Sequence, residues 1–150
     1  MFKSALPGLI AATLAAVLYV FPALAQDQAE GTPLSGDEIK TLFDGLSVVG
    51  SYDTGDFFEE TYHSDGTISY RDEGGPLAGH WKVKGDQFCT EYVGGEKPCW
   101  IVVRHGENCF AYHLSESKVW SNRLPPDSKW LSIGWNPALP STCGAVLKPI

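Results

Sequence analysis

Turn signals punctuate this chain about every eight to twelve residues, and that beat limits its fold more than any other feature. Asp65-Gly66, Gly74-Gly75-Pro76, Gly85-Asp86, Gly94-Gly95, His105-Gly106-Glu107 and Ser115-Glu116 separate runs too short for stable helices. The runs alternate or carry β-branched and aromatic residues: Ser47–Tyr52, Phe57–His63, Thr67–Asp72, a run around Trp81 and Val83, Phe88–Tyr92, Trp100–Arg104 and Cys109–Leu114. Two further strands are expected at Lys118–Arg123 and, after Leu124-Pro125-Pro126, at Lys129–Gly134, ahead of an irregular Pro-rich tail. The expected fold is mainly β: an antiparallel up-and-down meander closing into a small barrel or sandwich.

One helix precedes the strands. Ser35 is a plausible N-cap with Glu38 three residues on, the capping-box spacing, and Leu34 and Ile39 can form the hydrophobic staple. Ile39, Leu42, Phe43 and Leu46 recur at helical spacing, and Gly45 is placed to stop the helix. The helix is short and amphipathic, so its apolar stripe needs a partner surface.

The chain opens with Lys3 and an apolar stretch from Leu9 to Phe21, closing on Ala23-Leu24-Ala25. That small-x-small ending reads as a signal peptide over residues 1–25, cleaved to leave Gln26 first. The apolar core is shorter than the ~20 residues a spanning helix needs, so no membrane span is expected after cleavage. Residues 26–33 then form a flexible lead-in, and 34–150 one β-rich domain. The leader's style is bacterial, which makes the periplasm or the medium the destination.

The leader carries one lysine and no acid, so ten basic residues face eighteen acidic ones afterwards, a net charge of −8. That balance disfavours nucleic acid and anionic membranes and suits a basic protein partner. Cys89, Cys99, Cys109 and Cys143 all follow the leader. An even count in an oxidising compartment reads as two disulfides, with three possible pairings. The turn between Cys89 and Cys99 favours joining them across a hairpin, leaving Cys109–Cys143 to tie down the tail. That longer closure is worth on the order of 3 kcal/mol. The nine-residue gaps lack the tight spacing of zinc knuckles, and no His-x-His pair joins His63, His80, His105 and His113 on one face. No metal or cofactor is implied.

No nucleophile motif is present. Asp53, Asp56, Glu59 and Glu60 crowd one hairpin and read as an acidic face. Calcium ligation and a glycosidase carboxylate pair are the chemical alternatives to a solvated edge there. Five tryptophans stand out. Trp81 and Trp100 read as core; Trp120, Trp130 and Trp135, with Arg123 and Asn122, are candidates for a rim that stacks a sugar ring or anchors a protein.

The ordered series Leu34-Ser35-Gly36-Asp37-Glu38-Ile39, Ser64-Asp65-Gly66-Thr67, Gly79-His80-Trp81-Lys82-Val83-Lys84-Gly85-Asp86-Gln87-Phe88-Cys89, Cys99-Trp100 and Arg104-His105-Gly106 resembles a group of small exported proteobacterial proteins, common in rhizobia-like bacteria and carrying no assigned activity. The likeness spans Leu34 to Leu114. It implies an exported β domain with a Cys89–Cys99 bridge, and no catalytic residues. Cys109, Cys143 and the Pro-rich tail depart from the group. Gly79-x-Trp81 is also similar to the Gly-x-Trp of calycin-type barrels, though there it lies near the first strand. The Ser-Gly-x-x-Tyr signature of periplasmic lysozyme inhibitors is missing, since Asp37-Glu38-Ile39 follows Ser35-Gly36.

These readings converge on an exported, non-enzymatic binding module of the cell envelope, taking a small ligand or an envelope component. The alternative is an acidic inhibitor or partner of a secreted basic enzyme. A hydrolase using the acidic hairpin comes third.

Overall fold

A computed structural model describes residues 31–116, 120–124 and 128–145; the expected leader and its cleavage site lie outside them. The strands are β1 (Thr32–Pro33), β2 (Ser47–Tyr52), β3 (Phe57–Tyr62), β4 (Thr67–Asp72), β5 (Gly75–Lys84), β6 (Gln87–Tyr92), β7 (Cys99–Arg104), β8 (Phe110–Leu114) and β9 (Ser132–Trp135). From β2 to β9 each strand pairs antiparallel with the next, and β9 returns to pair with β2. The meander therefore closes into an eight-stranded barrel, which resolves the barrel-or-sandwich alternative. Closure leaves no long strand edge unpaired.

Strict alternation sorts the side chains. Val48, Gly50 and Tyr52 of β2, Phe58, Glu60 and Tyr62 of β3, and Phe88, Thr90 and Tyr92 of β6 face inward. The opposite parity faces out. Gly50 and Gly134 are paired across β2 and β9, and a Cβ on Gly50 would sit 2.6 Å from the tip of the Phe58 ring. The absent side chains make room for that ring inside the barrel.

The helix α1 (Gly36–Phe43) begins with both halves of the expected capping box in place, and Gly45 follows it at φ 77°. Gly36 comes so close to the β5–β6 turn that its N–H donates to Asp86 Oδ1 at 2.9 Å, and a Cβ there would strike the Gly85 carbonyl. This docking aims fully buried Phe43 down the barrel axis. Its ring lies 5.3 Å from Tyr62, 5.0 Å from Phe88 and 5.4 Å from Phe110. Filling one barrel end with this ring contributes about 3 kcal/mol or more. At the other end, ringed by Tyr52, Asp72, Tyr92, Trp100 and Leu114, no plug of this kind is present among the described residues.

Three expectations need correction. Gly31–Pro33 are not a loose lead-in: β6 and β7 pair only at Phe88–Trp100 and Cys89–Cys99, and β1 takes the vacated side of β7. The turn at Gly74-Gly75-Pro76 is tighter than expected: the chain reverses at Glu73-Gly74, and β5 already starts at Gly75, pairing along β4 from Asp72. Among the described residues of Lys118–Arg123 there is no strand. Their backbone is used elsewhere: the Trp120 carbonyl accepts from Asp86 N–H, the Ser121 carbonyl accepts from Gln87 Nε2, and Asn122 Nδ2 donates to the Leu34 carbonyl. This segment belongs to a strap that runs outside the barrel.

The cysteines pair as favoured. Cys89 and Cys99 face each other across β6 and β7 with Cα atoms 4.0 Å apart, and Cys109 joins Cys143 at 5.0 Å. Buried Asn108 adds a second tether for the tail, donating to the carbonyls of Asn136, Leu139 and Pro140 and accepting from Asn136 N–H.

Candidate functional site

The outside of the barrel divides into two walls. Over β7, β8 and β9 the outward residues Ile101, Val103, Ala111 and Ile133 are buried beneath Leu124, Trp130 and the Cys109–Cys143 bridge. Nothing among the described residues covers β2, β3 and β4.

On this bare wall Trp135 stands opposite Val49, Val49 opposite Glu59, and Glu59 opposite Arg71. Together with Phe57 and Glu73 they line an open groove of about 460 Å³. A second trough of about 490 Å³ continues on the far side of Glu59 and Arg71, past Thr61, Ser69 and Leu77. Phe57 is 67 % exposed. Glu59 and Arg71 are direct cross-strand neighbours, yet they form no ion pair among the described residues. Their polar heads stay available above an aromatic floor.

Inside the barrel lies a second, smaller site. Glu60 is 8 % exposed and accepts hydrogen bonds from the hydroxyls of Tyr62 and Tyr92. A void of about 50 Å³ adjoins it, lined also by Tyr52, Thr90, Trp100, Tyr112 and Ser132. The Tyr112 hydroxyl is buried, with the Tyr62 hydroxyl near it and no well-formed hydrogen bond among the described residues. Trp100 Nε1 donates to Thr90 Oγ1 at 3.1 Å, and nearer the rim Tyr70 donates to Asp72 and meets the Tyr52 hydroxyl at 3.0 Å. Burial pushes the Glu60 carboxyl above its ordinary range, against the opposing pull of its two tyrosine hydrogen bonds. Burial likewise raises Tyr62, Tyr92 and Tyr112, with the nearby Glu60 charge adding to the effect.

The residues expected to bind do not gather at one rim. Trp135 lines the groove and also packs against the buried Cys109, Ile133 and Cys143 cluster. Trp130 packs against both buried clusters of the covered wall. Trp120 is 43 % exposed beside the β5–β6 turn, its ring 4.7 Å from Lys84 Nζ, and exposed Arg123 follows it in the strap.

Nor do the four acids form one face. Asp53 and Asp56 sit exposed in the β2–β3 turn and Glu59 points outward, but Glu60 points into the barrel. Glu59 and Glu60 project to opposite faces, so this neighbouring pair cannot flank one glycosidic bond. Among the described residues no three His, Cys, Asp or Glu side chains cluster as metal ligands, and no helix is long and apolar enough to cross a membrane.

No family model matches this chain, and no curated protein matches it. Chemistry is left to speak for the two sites. Several of their residues were open to recognition by parity alone: in Phe57-Phe58-Glu59-Glu60-Thr61-Tyr62, a period of two puts Glu60 with Phe58 and Tyr62. The placement of Phe57, Arg71 and Glu73 beside Trp135 had no such signal, because it depends on β9 crossing back to β2.

Proposed function

We propose that this chain is an exported binding module whose bare wall holds a carbohydrate chain of the cell envelope. The observation that carries the reading is the groove in which exposed Phe57 and half-buried Trp135 stand beside Glu59 and Arg71, which form no ion pair among the described residues. Aromatic faces stack the C–H faces of sugar rings, and planar carboxylate and guanidinium groups suit pairs of hydroxyls. The groove falls in the volume range of ligand sites, and its continuation past Arg71 suits a chain rather than a single ring. Two disulfides fit an oxidising compartment, in keeping with export.

Calorimetric titration with soluble glycan fragments from the host envelope tests this. Phe57→Ala, at a 67 % exposed position, is expected to weaken binding about tenfold or more, as for an aromatic anchor, while the unfolding midpoint stays put. Trp135→Ala should weaken binding likewise and also lower the midpoint, because Trp135 packs against the Cys109, Ile133 and Cys143 cluster. Equal binding by Trp135→Ala and Phe57→Ala would sink the assignment.

Partnership with a basic protein is the second reading. It is favoured by Asp53, Asp56, Glu59 and Glu73 lying at or leading into one groove where Arg71 is the single basic lining residue. Under that reading a protein co-purifies and dissociates as salt rises.

A further inference from the structure

The barrel interior presents an arrangement that packing alone does not explain. A closed barrel of this size is ordinarily filled by apolar side chains. Here Glu60 takes a central inward position on β3 and is almost wholly enclosed. The two hydroxyls that reach it, from Tyr62 on the same strand and Tyr92 on β6, are neutral donors. Among the described residues no lysine, arginine or histidine lines the void beside it. A carboxylate enclosed without a counter-charge is costly, so it must either carry a proton or find a cation. Next to it the Tyr112 hydroxyl is equally enclosed, with the Tyr62 hydroxyl nearby and no well-formed hydrogen bond among the described residues, which native interiors seldom tolerate.

The walls of the void are mostly aromatic: Tyr52, Phe58, Tyr62, Phe88, Tyr92 and Trp100. Ring faces around one carboxylate are the chemistry that recognises an ammonium ion, since the ring quadrupoles and the anion attract the same charge. The volume, about 50 Å³, admits a group of a few heavy atoms and not a metabolite. Half-buried Tyr52, Tyr92 and Trp100 place it toward the barrel end that the helix leaves unplugged.

We propose that the void beside Glu60 binds a small ammonium cation, ammonium itself or the head of a slender primary amine, held by the Glu60 carboxylate, the Tyr112 hydroxyl and the surrounding rings. The Glu60 side chain points into the barrel and the Glu59 and Arg71 side chains point out, although Glu60 also contributes to the lining of the outer trough.

Binding exchanges one positive charge for another. The empty site holds Glu60 protonated wherever pH lies below its raised value, and the arriving cation releases that proton to solvent. The other titratable groups facing Glu60 are Tyr62 from β3, Tyr92 from β6 and Tyr112 from β8, all of them neutral across the working range; Tyr70 and Asp72 of β4 and Tyr52 of β2 form the nearby rim network. Affinity should therefore rise about tenfold per pH unit while Glu60 is protonated, then level off once it is ionised.

Titration of the oxidised protein with methylammonium chloride, followed by tyrosine and tryptophan fluorescence, tests the assignment, with tetramethylammonium as an oversized control. Saturable binding of methylammonium alone, strengthening with pH, is expected. Glu60→Gln keeps the shape and removes the charge, and should weaken binding about tenfold to a hundredfold, the scale of a hydrogen bond to a charged group. If Glu60→Gln does not fold, Tyr112→Phe serves instead: it removes one hydroxyl and should weaken binding several-fold without altering the fold. No saturable signal at roughly 100 mM, far beyond millimolar affinity, would overturn the proposal. So would a titration that is indifferent to pH and unchanged in both variants, or one in which tetramethylammonium binds as well.

Discussion

One barrel carries two kinds of outer wall. Across β7, β8 and β9 the outward residues Ile101, Val103, Ala111, His113 and Ile133 are buried under the strap and tail, and Trp135 at the end of β9 is half-buried. Across β2, β3 and β4 they are Ser47, Val49, Glu59, Thr61, Ser69 and Arg71, and no described segment lies over them. Both walls use the same strand geometry and antiparallel pairing. What differs is the covering, and sequence reports it: β7 reads as a continuous apolar run because both its faces are buried, whereas β3 alternates. An apolar residue on the first wall is therefore there for stability. Trp135 stands at the seam of the two, packing on one side against the Cys109, Ile133 and Cys143 cluster and lining the groove on the other, and exposed Phe57 beside it is the residue that ligand contact explains.

The largest expected effect comes from stripping the covered wall. Replacing Cys109 and Cys143 together by alanine reopens a closure with a sequence separation of 34 and should cost about 3–4 kcal/mol in urea unfolding. The matching single substitutions sharpen the contrast. Ile133→Ala should cost about 3 kcal/mol, since it leaves a cavity under the tail. Val49→Ala, its counterpart on the bare wall, should cost below about 1 kcal/mol. Equal costs would mean that both walls are buried in the working protein, and the groove reading would fail with the comparison.

A smaller effect is set by pH. His113 faces out from β8 beneath the strap, 6 % exposed, with its Nδ1 3.1 Å from Ser128 Oγ. Burial holds its imidazole below the ordinary value, and neighbouring His105 lowers it further. A histidine depressed in the folded state binds more protons when unfolded. Its contribution is thus complete above roughly pH 6.5 and lost as pH falls through the depressed value. Unfolding followed from pH 8 down to 5 should show that decline, and His113→Gln should flatten it in part, leaving the share of His105, which is depressed by burial too. An unchanged slope in His113→Gln would place the titrating group elsewhere.

Much of the barrel was legible before any coordinates, and the failures have physical causes. Period-two patterning and turn residues marked the eight barrel strands to within a few residues, apart from the longer start of β5. The capping box at Ser35 and Glu38 marked the helix, because both signals are local. The strap was misread as a strand at Lys118–Arg123. A hydrophobic residue packed against a barrel's outside looks, in one dimension, like one packed inside, and hydrogen bonds to Gln87 and Asn122 have no local signature. Asn108 was passed over for the same reason, since its partners lie 28 to 32 residues away. Of the groove, Trp135 and Glu59 were named as candidates, but their meeting depends on the closure between β9 and β2. Glu60 was grouped with its acidic neighbours when its parity with Phe58 and Tyr62 already set it apart.

The smallest expected effect bears most directly on what the bare wall is for. Glu59 and Arg71 face each other in register, the position at which opposite charges on a sheet ordinarily contribute a few tenths of a kcal/mol. Yet no ion pair joins them. A double-mutant cycle with Glu59→Gln and Arg71→Gln should give a coupling below about 0.3 kcal/mol in the free protein, at the low end even for exposed pairs. The same cycle run on glycan affinity should give a larger value, because a sugar hydroxyl held between the two groups couples them. Coupling in stability without coupling in binding would make the pair a brace of the wall, and the polar half of the groove would lose its role. The reverse outcome would tie both side chains to the ligand and leave stability to the opposite wall.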